Sequence, residues 1–372
     1  MKLSFEKDSL LSGINIVLKA VSSKTTMPIL ECILIDATSN EIKLTGNDME
    51  LGIETKVEGL ILERGKIALD AKLFSDIVRK LSGQDSVITI ESDEKFNTVI
   101  TCDKSVFKIQ GKDGDEFSYI PYIERDNHIC ISQFSLKEVI RQTIFSISAN
   151  DSNKMMTGEL IEVTGNELKM VSLDGHRMSI RKIILKDQYN DIKVIVPGKT
   201  LSEISKILNG DNESEVLIFF SSNHIMFEFD QTVVVSRLIE GEYFKISQML
   251  SSDYDTKVTV NKREFQDAID RASILIREND KKPIIINITD DGMQLKLNSA
   301  FGTLDAEVSI SKLGKDLMIG FNPKFLIDAV RIIDDEEITL YMMNPKSPCF
   351  IKDEEENYIY LILPVNFNTS TI

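Results

Sequence analysis

His128–Ser148 reads HICISQFSLKEVIRQTIFSIS, and its hydrophobic spacing changes partway along. Ile129 and Ile131 alternate with other residues, the period of two of a strand. Leu136, Val139, Ile140, Thr143 and Ile144 recur at threes and fours, the stripe of an amphipathic helix. The spacing predicts a strand, a turn at Ser132–Ser135 and then a helix, with Ser135 as N-cap and Glu138 completing a capping box. The unit occurs twice more. Leu3 and Phe5 precede Leu10 and Ile14; Val258 and Val260 precede Phe265 and Ile269. The step from second strand residue to helix anchor is the same each time: Phe5 to Leu10, Ile131 to Leu136, Val260 to Phe265. The copies lie about 126 to 129 residues apart, about the size of one domain.

Other landmarks keep that period. Alternating hairpins are expected around Ile42, Leu168 and Leu295, the second with its turn at Thr164–Asn166. Each copy then has a strand feeding a second helix: Lys72–Leu81, stopped by Gly83; Thr200–Leu208, stopped by Gly210; and Pro323–Ile333, started by Pro323. A strand is also expected over Met49–Val57, after a break at Gly46–Asp48. Three landmarks sharing one period mark an internal repeat. The expected architecture is α+β: three tandem similar domains at 1–125, 128–250 and 255–372, each with two helices packed on antiparallel sheets.

Of 372 residues, 42% are hydrophobic and 27% charged, the balance of a globular chain with ample core. No apolar run is long enough to span a membrane, and MKLSFEKDSLL lacks a signal peptide's apolar centre. Cys32, Cys102, Cys130 and Cys349 are scattered, which fits reduced thiols in the cytoplasm. With three scattered histidines, no zinc site is expected.

The net charge of −16 argues against a nucleic-acid partner until its distribution is examined. The six helical windows together carry about +6, leaving about −22 for the rest. Helical cations include Lys72, Arg79, Lys80, Lys137, Arg141, Lys199, Lys206, Arg271, Lys324 and Arg331; Lys24 lies in a loop. Any one of them can be an ordinary solvated residue. Together, on equivalent helices of like domains, they suit a shared surface toward a polyanion. Few aromatics are interleaved, so duplex backbone contact fits better than base stacking.

Enzymatic motifs fail on inspection. Pro197–Thr200 (PGKT) lacks the glycine five residues before Gly198, where Lys193 stands. Leu173–Met178 (LDGHRM) brings an acid, a histidine and an arginine together but reads first as a tight turn, and no G-x-S-x-G elbow exists. Asp290–Gly292 and Asp353–Glu356 read as turns and solvated loops rather than metal sites. No catalytic constellation, metal or cofactor is expected.

The repeat, with MPIL (Met27–Leu30), LTGNDME (Leu44–Glu50), DGHR (Asp174–Arg177), VIVPGK (Val194–Lys199), IGF (Ile319–Phe321) and LILPV (Leu361–Val365), resembles the β subunit of bacterial DNA polymerase III, the replicative sliding clamp. The resemblance covers the full length. It implies a head-to-tail homodimeric ring around duplex DNA, with helices inside and sheets outside. It also implies a hydrophobic pocket for short Gln- and Leu/Phe-containing peptides of the polymerase III catalytic subunit, the clamp loader and repair proteins. By matching position the pocket would take Met155, Met156, Thr157, Leu173, Gly175, His176, Arg177, Met178, Phe244, Met249, Pro348, Leu361, Leu363, Pro364 and Val365. The dimer joint would use Phe107 and Ile109 on one side, Ile274 and Leu275 on the other. The sequence departs from the family at Tyr243–Ile246, at Gly198 and in the extension Asn366–Ile372. A monomeric peptide-binding scaffold without ring closure is the alternative reading.

Overall fold

The computed structural model describes residues 1–22, 25–81, 87–126, 128–149, 152–251, 253–277 and 282–367. Gly83 and Lys24 lie outside them. Among the described residues there are six α-helices: α1 (Lys7–Val17), α2 (Ala71–Lys80), α3 (Gln133–Thr143), α4 (Gly198–Ile207), α5 (Lys262–Ser273) and α6 (Pro323–Ile332). Each follows a strand with at most one residue between. The residue at the junction caps three of them: Asp70, Asn261 and Asn322 accept the backbone N–H of Leu73, Glu264 and Lys324 at 2.7, 3.1 and 3.0 Å.

This junction corrects one expectation. The strand His128–Ser132 enters α3 directly, so Ser132–Ser135 forms no turn. Ser132 takes the capping role: the Ser135 N–H donates to its Oγ at 3.1 Å. Glu138 closes no capping box and instead accepts from Arg141 Nη2 at 2.6 Å. The helical anchors Leu10, Ile14, Leu136, Ile140, Phe265 and Ile269 are all fully buried. At about 1.5–3 kcal/mol per large apolar side chain, this stripe fixes which face of each helix turns inward.

The chain divides into two compact units, Met1–Leu136 with Glu203–Leu238, and Lys137–Ser202 with Ile239–Ile372. All described strand pairings are antiparallel. The first unit has a five-stranded sheet running from Leu60–Glu63 at one edge to Ser105–Gln110 at the other. Its nine-stranded sheet spans two sequence repeats, joined where Thr232–Ser236 pairs with Leu51–Thr55. The second unit has a seven-stranded sheet joined where Arg177–Arg181 pairs with Tyr358–Ile362, and a four-stranded sheet with Gly302–Val308 at one edge.

Several boundaries differ from the spacing. The strand expected from Met49 begins at Leu51, because Met49 adopts a left-handed φ of 75° in the turn. Gly46 and Asn47, expected as a break, end the strand Ile42–Asn47. The short edge strand Leu60–Glu63 and the half-exposed Gly302–Val308 and Ile310–Gly314 have too few buried positions to give a clear alternation. Gly158–Leu173 pairs as strand along nearly all its length, yet Lys169 forms an ion pair with Glu162. An unbroken strand would hold these residues roughly 23 Å apart. The chain therefore folds back between them, at Gly165, whose φ is 61°.

Candidate functional site

In the second unit, the segment Leu173–Met178 joins two strands through a tight loop. Asp174 Oδ1 accepts the backbone N–H of His176 at 2.9 Å and of Arg177 at 3.1 Å, an Asx turn that Gly175 completes with φ 86°. Leu173 and Met178 face each other in register and sit in a buried apolar cluster with Val171, Tyr243, Phe350 and Leu361. The Tyr243 hydroxyl donates to the Val171 carbonyl at 3.2 Å, tying the segment after Gly241 to this hairpin. Burial pushes the Tyr243 phenol well above its ordinary pKa, so it stays neutral. The Leu363 N–H donates to the His176 carbonyl at 2.8 Å, drawing the C-terminal strand's end to the same loop.

These ties enclose a cavity of about 350 Å³. It is lined by Met156, Leu173, Gly175, His176, Arg177, Met178, Phe244, Met249, Pro348, Leu361 and Leu363, eleven of the fifteen residues named from the sequence. Met155 packs on the apolar cluster beneath, and Thr157 Oγ1 donates to the Lys154 carbonyl. Pro364 is half-buried beyond Leu363. Val365 lines a neighbouring groove with Leu317, Met343 and Phe367, its N–H bonded to the Gly320 carbonyl at 2.8 Å. The cavity has the volume and apolar lining of a site for a small ligand or a few peptide side chains. Flexible Met156, Met178 and Met249 give it an adaptable wall.

Two residues of α6 support its rim: Phe325, expected from spacing only as a helix anchor, and Asp328. Phe325 of α6 stacks against His176, ring centroids 6.0 Å apart. Asp328 of α6 accepts from Arg177 Nη1 at 2.6 Å. Both lie far along the chain from the loop they support, and local spacing does not reveal such a pairing.

The helical cations divide by partner. Arg79, Arg141, Lys206 and Arg331 form ion pairs with Asp76, Glu138, Glu203 and Asp270, and Arg141 also reaches Asp334. Lys72, Lys80, Arg271 and Lys324 are exposed and make no ion pair among the described residues. Lys199 is exposed and Lys137 half-buried.

Exposed apolar groups stand on one edge strand of the first unit and, in the second unit, at the end of α5 and in the turn before Gly302–Val308. On Ser105–Gln110, Val106 and Phe107 are 57% and 37% exposed, and Ile109 is half-buried. In the second unit, Ile274 is 80% exposed, Leu275 is half-buried, and Phe301 stands exposed under the Arg277 guanidinium, 4.2 Å from its ring centroid. No helix among the described residues is long and apolar enough to cross a membrane.

Comparison with known proteins extends this picture over the whole chain. Family models of the DNA polymerase III beta subunit match in three consecutive blocks: the N-terminal domain over residues 1–121, the central domain over 130–245 and the C-terminal domain over 247–366. The beta sliding clamps of Staphylococcus aureus and Staphylococcus epidermidis are each 35% identical over 376 residues, covering 98% of this chain and 99% of theirs. A putative DNA polymerase III beta subunit from Eubacterium rectale is 65% identical, with a TM-score of 0.96 over 99% of this chain and 100% of that one. The sliding clamp of Bacillus subtilis, at 33% identity and the same coverage, gives 0.95. With every sheet and helix accounted for by one three-domain fold, and relatives matched from end to end, the chain belongs to the DNA polymerase III beta subunit family, the non-catalytic beta sliding clamps.

Proposed function

We propose that two copies of this chain close head-to-tail into a ring around duplex DNA and tether the replicative polymerase, the clamp loader and repair proteins through the cavity beside His176. The observation that carries the reading is the full-length likeness to sliding clamps together with two open sheet edges, Ser105–Gln110, which exposes Val106 and Phe107, and Gly302–Val308, which follows the exposed Phe301. An open edge presents unpaired N–H and C=O groups and invites another strand. Edge Ser105–Gln110 of one copy, through Phe107 and Ile109, meets the Gly302–Val308 edge of the other, beside Ile274 and Leu275. A heterologous interface of this kind, made twice, closes after two subunits and leaves no free edge at the joints.

The three domains of each copy, at 1–125, 128–250 and 255–372, turn their helices toward the DNA. Lys24, Lys72, Arg79, Lys80, Lys137, Arg141, Lys199, Lys206, Arg271, Lys324 and Arg331 supply sequence-blind phosphate contacts. The acidic remainder repels DNA from the outside. Retention is then topological, so the phosphate contacts can stay weak and the ring can slide. The apolar cavity holds Leu and Phe side chains of a partner's peptide, with the loop's few polar groups setting direction. Scattered free cysteines suit the reducing cytoplasm where replication proceeds.

The test is loading by a compatible clamp loader with ATP onto nicked circular DNA, followed by a high-salt wash before and after linearisation. Retention on the circle and loss from the linear form are expected. Equal loss from both, after confirmed loading, would mean plain electrostatic binding and overturn the ring.

A further inference from the structure

We infer that Asp328 of α6 is a positioning residue for the peptide pocket, acting through Arg177. The inference deepens the proposed function and rests on that cavity being the peptide site.

The Arg177 side chain is only 8% exposed, yet it lines the cavity. A guanidinium so enclosed needs its charge and its donors satisfied. Nε donates to Asp174 Oδ2 at 3.1 Å, Nη1 to Asp328 Oδ2 at 2.6 Å and Nη2 to the Phe145 carbonyl at 2.6 Å. Its plane is flanked by aromatic rings, 4.6 Å from the Phe325 centroid and 5.3 Å from that of Phe145. Asp174 belongs to the same tight loop and moves with it. Asp328 and Phe325 belong to a helix whose opposite side is packed in the core through Leu326, Ile327 and Val330. The bond to Asp328 is therefore the charged tie that fixes the loop to a rigid element. The same helix holds His176 by stacking with Phe325. Without the carboxylate, Arg177 keeps a buried charge with one fewer counter-ion and swings toward the cavity it lines. The pocket then loses its shape without any change in the residues that touch peptide.

The test uses the full-length protein and a fluorescein-labelled pentapeptide of Gln, Leu and Phe residues, read by anisotropy. Asp328→Asn keeps the side-chain shape and removes the charge; it is expected to weaken binding about tenfold. Asp270→Asn removes the exposed ion pair to Arg331 on the same helix and is expected to leave binding unchanged. In an Arg177→Met background, Asp328→Asn should have no further effect, a dependence that general destabilisation would not produce. Phe325→Leu, which keeps an apolar side chain but removes the ring, provides the same reading should Asp328→Asn fail to fold. Unchanged affinity in folded Asp328→Asn would overturn the positioning role and leave the pocket intact. Failure of the wild-type protein to bind the peptide would overturn the pocket and this inference together.

Discussion

Glu159 is an ionisable side chain at odds with its surroundings. It is fully buried, and neither carboxyl oxygen has a hydrogen-bond partner among the described residues. Burial pushes its pKa up to about 8, and the Thr143 hydroxyl, already bonded to the Val139 carbonyl at 2.7 Å, offsets this only in part. The raised value means that the folded state keeps a proton the unfolded chain has released above about pH 4.5. Stability from this group is full below that pH and is lost as pH rises toward about 8, by a shift of order 5 kcal/mol at most. Glu159→Gln should remove the dependence: urea unfolding of the two proteins between pH 5 and 8.5 should give curves that diverge as pH rises. Parallel curves would mean that the acid is solvated in the native state. At the cavity, His176→Ala with Leu363→Ala should weaken peptide binding at least about tenfold and abolish polymerase stimulation, with dimer mass unchanged. Stimulation that persists would place the peptide elsewhere. Sequence spacing makes Leu10, Leu136 and Phe265 legible as core because a helix repeats its buried face. It leaves Asp328 silent, because the tie to Arg177 spans 151 residues and has no period.

Strands and helices are legible in kind wherever one face is buried along their length. The junction at Ser132 lies three residues before the position that spacing suggests, because Ser135 and Glu138 mimic a cap that the directly continuing strand does not need. Edge strands are the main omission. Leu60–Glu63 is short and solvated, so it carries little alternation. Ser105–Gln110 is legible as a strand, but its exposed edge position is not, since exposure depends on where the sheet ends. That edge is where dimerisation can be tested. Phe107→Asp places a charge in the proposed joint, where desolvating it without a partner costs about 2–4 kcal/mol per joint. Sedimentation should then show monomer at concentrations where the wild type is a dimer, with the monomer's thermal unfolding little changed because Phe107 is already 37% exposed there. A dimer that survives the substitution would move the joint away from this strand.

Across the whole molecule, charge distribution and topology separate affinity from retention. Replacing Lys72, Lys80, Arg271 and Lys324 by alanine should weaken binding to linear duplex and flatten its salt dependence, by up to about 0.9 in the log–log slope for each phosphate no longer neutralised. Salt-resistant retention on closed circles, once loaded, should not change. Loss from circles as well would mean that electrostatics, not closure, holds the protein on DNA. The repeat is legible from the sequence because equivalent anchors recur. The sheets that run across repeats are not, since strand partners are chosen by tertiary packing. They have a consequence for synthesis on the ribosome. The nine-stranded sheet pairs Leu51–Thr55 with Thr232–Ser236, so the N-terminal repeat keeps one edge of that strand unpaired until residue 236 has emerged. The strand Arg177–Arg181 waits in turn for Tyr358–Ile362, made long after it. Successive repeats therefore cannot mature one by one like beads, and a chain halted between them carries a sheet edge open to wrong partners.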